Sequence, residues 1–72
     1  MTKTQALKKC NENILKALQM GQELIELAED GDCFREDESC GVLFGVVRDT
    51  GYKIRALAEQ EMHKHMNKGN WK

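Results

Sequence analysis

Seventy-two residues allow one small domain; 40% of them are hydrophobic, 32% are charged and none is proline, which excludes a disordered chain and leaves long helices open. A chain of this size buries only about 60% of its unfolded surface, so a stable core calls for disulfides, a metal or association. A formal charge of -1 gives no general attraction to nucleic acid or to an anionic membrane, and no apolar run approaches the roughly 18 residues that span a bilayer. The N-terminus leads into no signal-peptide core, and three cysteines (Cys10, Cys33, Cys40) are an odd number that fits reduced thiols better than a disulfide framework. The expected location is the cytoplasm.

Thr2 or Thr4 can cap a first helix expected over about residues 4–29. Ala6, Leu7, Cys10, Ile14, Ala17, Leu18, Gly21, Leu24, Ile25 and Ala28 recur along it at helical spacing, and Lys8, Lys9, Glu12, Lys16, Gln19, Glu23 and Glu26 form the opposite, solvated face. Leu15, Met20 and Leu27 lie off this stripe and would widen a contact with a second chain.

Gly31 is the residue type that stops a helix in the left-handed conformation, which places an acidic turn at about 30–38. Glu29, Asp30, Asp32, Glu36, Asp37 and Glu38 face only Arg35 there. Glu36, Asp37 and Glu38 would complement the positive end of the helix that follows, whereas Glu29 and Asp30 sit at the unfavourable end of the one before. Asp30-Gly-Asp32 is not continued by the oxygen ligands of a calcium loop.

A second helix is expected over about 39–66, with a polar tail at 67–72. It opens on the run Cys40 to Val47, around which the chain is organised and which is the one stretch that is nearly free of polar side chains and also carries glycines. Cys40, Leu43, Phe44, Val46, Val47, Thr50, Gly51, Ile54, Leu57 and Ala58 fall on a contiguous arc of roughly 160°, wider than a helix needs for one neighbour. Two helices of similar length joined by a short connection predict an all-α antiparallel hairpin. Because a hairpin has one internal interface, the surplus width predicts a homodimer, a four-helix bundle with Cys40, Leu43, Phe44, Val46, Val47, Ile54 and Leu57 at its interface. Gly41 and Gly45, with Tyr52 and Ala56, trace a strip beside this arc that could dock a partner.

Chemistry-bearing residues are sparse. Met62, His63, His65 and Met66 are soft ligands, yet His63 and His65 are two apart and point to different sides of a helix, where a metal pair wants three or four. Cys33 and Cys40 are seven apart, unlike the close pairs of redox or zinc sites. Cys33, His63 and His65 are the candidate metal ligands of a metal or redox accessory protein, and neither a metal nor another cofactor is expected. No nucleophile with a base and an orienting partner can be assembled, so no enzyme is expected. The architecture is similar in shape to the small plasmid-encoded RNA-binding hairpins that dimerise into four-helix bundles, without a matching RNA-contact motif. Lys3, Lys8, Lys9, Lys16, Arg48, Lys53 and Arg55 would serve nucleic-acid binding, but acids interleave with them. The expected partners are therefore a second copy and a larger protein, with nucleic acid as the alternative.

Overall fold

A computed structural model describes residues 3–34, 37–69 and 71, with the side chains of 3–5 and 7 left out. Two helices, α1 (Lys3–Cys33) and α2 (Glu38–Asn67), pack along their length as an antiparallel hairpin. The hairpin is one helix layer thick, with extents of 51 × 22 × 13 Å. Its radius of gyration of 15.9 Å exceeds the ~11 Å expected for a compact domain of this length.

One seam joins the helices. On α1 it runs through Asn11, Ile14, Leu18, Gly21, Ile25, Ala28 and Asp32, and on α2 through Phe44, Arg48, Gly51, Arg55, Ala58, Met62 and His65. Every one of these residues is buried or half-buried, and the steps of three and four alternate as in a coiled coil. Small residues at Gly21, Ala28, Gly51 and Ala58 bring the two backbones close together. Among the described residues, the buried apolar side chains are Ile25, Ala28 and Ala58.

The first helix does not stop at Gly31 but continues through Cys33. Gly31 serves close approach instead: the Phe44 ring lies where its Cβ would be, so the missing side chain makes room for an aromatic ring. The connection is correspondingly short, residues 34–37. Asp37 caps α2 with its Oδ1 accepting the Cys40 N–H at 2.9 Å, one residue ahead of the helix that begins at Glu38. Of the two threonines proposed to cap α1, Thr2 lies outside the described residues and Thr4 lies within the helix.

A left-handed glycine stop does occur, at the other end of α2. Lys68 closes the helix, and Gly69 follows with φ +72° and donates its N–H to the Met66 carbonyl at 3.0 Å. Beyond this turn the Trp71 ring stands edge-on to His65, with 6.5 Å between centroids. Lys64 and His65 occupy the last turn of α2, where cations suit the helix end.

Candidate interaction surface

Each helix carries a second apolar line one residue before the seam. On α1 it passes through Ala6, Cys10, Asn13, Ala17, Met20, Leu24, Leu27, Gly31 and Phe34, and on α2 through Cys40, Leu43, Val47, Thr50, Ile54 and Leu57. A shift of one residue turns a helical position by about 100°, and because the helices run in opposite directions, both lines turn to the same side of the hairpin. They form one continuous face. Ala17, Leu24, Val47 and Ile54 are half-buried along the seam, while Met20, Leu27, Leu43 and Leu57 stand out into solvent. Phe34 closes the turn end of the face with 77% of its surface exposed, and Val46 adds to the edge. Near the open end the same side has a shallow, open apolar patch formed by Ala6, Lys9, Cys10, Asn13, Ile14 and Ala17 of α1.

The seven interface candidates therefore divide. Phe44 turns inward onto Gly31, Cys40, Val47 and Ile54 straddle the boundary, and Leu43, Val46 and Leu57 face outward. The expected contribution of Met20 and Leu27 falls on the same face, whereas Leu15 lies on the other side.

That other side carries the residues one position after the seam: Glu12, Leu15, Gln19, Gln22, Glu26 and Glu29 from α1, with Gly45, Asp49, Tyr52, Ala56, Glu59 and His63 from α2. The strip proposed from Gly41, Gly45, Tyr52 and Ala56 belongs here, except that Gly41 is half-buried nearer the seam. A Cβ on Gly45 would meet nothing within 4 Å. The Arg55 guanidinium lies 5.1 Å from the Tyr52 ring centroid, donates from Nη1 to Gln22 Oε1 at 2.8 Å and approaches Glu59 to 3.9 Å. Tyr52 is thus held by a cation over its face.

The candidate metal ligands are not brought together. His65 turns into the seam and donates from Nδ1 to Asn11 Oδ1 at 2.7 Å, while His63 is exposed on the outer side. Cys33 is exposed at the turn end, separated from both histidines by roughly 30 Å of helix. Among the described residues no group of three or more His, Cys, Asp or Glu side chains could hold a metal ion. Nothing beside Asn11 in the sequence marks it out, yet it is 1% exposed and anchors the open end; the signal is its heptad spacing to Leu18 and Ile25.

Charge is divided between the ends. At the turn, Glu29, Asp30, Asp32, Asp37 and Glu38 face Arg48, whose Nη2 lies 3.2 Å from Asp32 Oδ2. At the open end, Lys8, Lys9, Lys16, Lys64 and Lys68 outnumber Glu12, Glu59 and Glu61. Asp37 has its pKa held below the usual 3.8 by the hydrogen bond from the Cys40 N–H. Among the described residues no helix is long and apolar enough to cross a membrane. No family model, curated protein or solved structure matches the chain.

Proposed function

We propose that this chain is a non-enzymatic interaction or regulatory module that works as a homodimer, two hairpins closing into a four-helix bundle whose outer faces meet a larger protein. The observation that carries the reading is the continuous apolar face built from Met20, Leu24, Leu27, Phe34, Leu43, Val47, Ile54 and Leu57. One layer of helix cannot enclose a core, and a second layer is the ordinary remedy. A face of 51 by 22 Å offers on the order of 1,000 Å² per copy, above the ~800 Å² per partner of a standard stable interface. The polar pairs lend support, because His65 is engaged with Asn11 and Arg55 with Gln22 and Tyr52, leaving structural rather than catalytic roles for both.

Light scattering on the full chain tests the assembly. Twice the 8.2 kDa chain mass across the micromolar range is the expected result, and a folded species of 8.2 kDa would overturn it. Affinity capture with the folded dimer should then recover one protein in fixed stoichiometry. Retention on a phosphate matrix that falls steeply with added salt would shift the reading to nucleic acid.

A further inference from the structure

We infer that the two hairpins pair in opposite directions, the acidic turn of one copy over the lysine-rich open end of the other; this rests on the homodimer reading above. Two-fold pairing through the apolar face has two solutions. With the turns at the same end, α1 of each copy lies over α2 of its partner; with the turns at opposite ends, each helix lies antiparallel over its own copy.

The apolar line permits both. In the opposite-ends solution α1 is self-complementary about residue 22: Phe34 meets Cys10, Leu27 meets Ala17 and Leu24 meets Met20, so large side chains stand against smaller or flexible ones. The exposed Phe34 ring then comes over the open-end patch of Ala6, Cys10, Asn13 and Ala17. On α2 Val47 meets Leu57 and Thr50 meets Ile54, about a centre at Tyr52 that lies within one helical turn of the level of Gln22. The same-end solution also matches Met20 with Ile54 and Leu27 with Val47, so packing does not choose between them.

Charge does choose. Same-end pairing sets the turn acids Glu29, Asp30, Asp32, Asp37 and Glu38 of one copy beside those of the other within about a Debye length, and crowds Lys8 against Lys68 at the open end. Opposite-ends pairing brings Lys16 to within two residues, about 3 Å along the axis, of Asp30, and Lys68 as near to Glu38, each pair occurring twice by symmetry. Glu23 and Lys53 count on the other side, since each meets its own copy near the two-fold axis and would meet the other in the same-end solution. Those are single like-charge contacts, whereas the ends carry opposed clusters, so the ends decide the direction.

The test uses the full chain with Cys10→Ser and Cys40→Ala, spin-labelled at Cys33, which is exposed on the side away from the proposed interface. Light scattering on the same sample first establishes the mass. A dimer with a Cys33–Cys33 distance of about 40 Å is expected, and a dimer with a distance under about 30 Å overturns the direction while leaving the dimer standing. A monomer overturns both. If the variant does not fold, zero-length carbodiimide cross-linking of mixed light and isotope-labelled wild-type chains replaces it. Mixed-isotope Lys16–Asp30 and Lys68–Glu38 links support opposite ends, and mixed Glu23–Lys53 links refute them.

Discussion

Gly21 and Gly51 stand backbone to backbone where the helices cross: a Cβ on Gly51 would lie 2.8 Å from the Gly21 carbonyl oxygen, and one on Gly21 would lie 2.9 Å from the Arg55 nitrogen. Both obstacles are backbone, so neither can swing aside. Gly51→Ala should cost about 1–3 kcal/mol by forcing the helices apart. Gly45→Ala, in open space on the outer side, should instead gain up to about 1 kcal/mol from better helix propensity. Thermal unfolding of the two variants, followed by circular dichroism, is expected to move Tm in opposite directions; equal shifts would refute the close crossing.

Phe44 and Leu57 separate folding within a chain from association between chains. Phe44→Ala removes a half-buried ring from the Gly31 notch and should cost about 2 kcal/mol, less than the 3–5 of a fully enclosed phenylalanine. Leu57→Asp places a charge on the apolar face without touching that notch. It should convert the dimer to monomer in light scattering and make the remaining helicity fall on dilution. A Leu57→Asp protein with wild-type mass would argue that this face stays uncovered.

Acid should loosen the start of α2. The carboxylate of Asp37 is held below 3.8 by the Cys40 N–H, so its contribution is complete above the unfolded-chain value and fades as pH falls through the lower folded one. Asp37→Asn keeps an acceptor for the cap but has no proton to gain, so its stability should fall less steeply below about pH 4. Asp37→Ala should be less stable than either at neutral pH. Parallel acid melts of all three proteins check this, and identical profiles for Asp37 and Asn would show that the cap does not titrate.

Trp71 is the one tryptophan and reports on the open end without labelling. His65→Ala removes its edge-on neighbour and the hydrogen bond to Asn11, so emission should shift to the red and urea should release the end earlier. The loss is expected to be about 1–2 kcal/mol, because Asn11 is left buried without that bond. His63→Ala, on the outer side, should leave the emission unchanged.

Much of the hairpin is legible in the amino-acid order, because steps of three and four from Ile14 to Ala28 and from Phe44 to Ala58 admit no other regular structure. What the pattern does not separate is the two lines within the broad arc: Leu43 and Phe44 are equally apolar, yet one faces solvent and the other α1. The distinguishing signal is where the glycines stand. Gly21 and Gly51 stand in the seam and Gly31 beside it under the Phe44 ring, and reading Gly31 as a stop hid its role as the seat of Phe44. The Asn11–His65 pair was missed for a related reason, since polar residues at either end of a helix look like ordinary solvated termini until the antiparallel register brings them level. The acidic turn and its capping role were readable because charge needs no register.

The outer strip of Gly45, Tyr52 and Ala56 lies on the side of the hairpin away from the apolar face. Joined back to back, two hairpins would therefore show the strip twice, looking in opposite directions. Such an assembly is bivalent but cannot lay both strips on one flat target. It would join two separate partners as a coupling piece, and a single binding domain would gain no avidity from the duplication unless it was itself paired or tethered on a linker long enough to reach around the bundle.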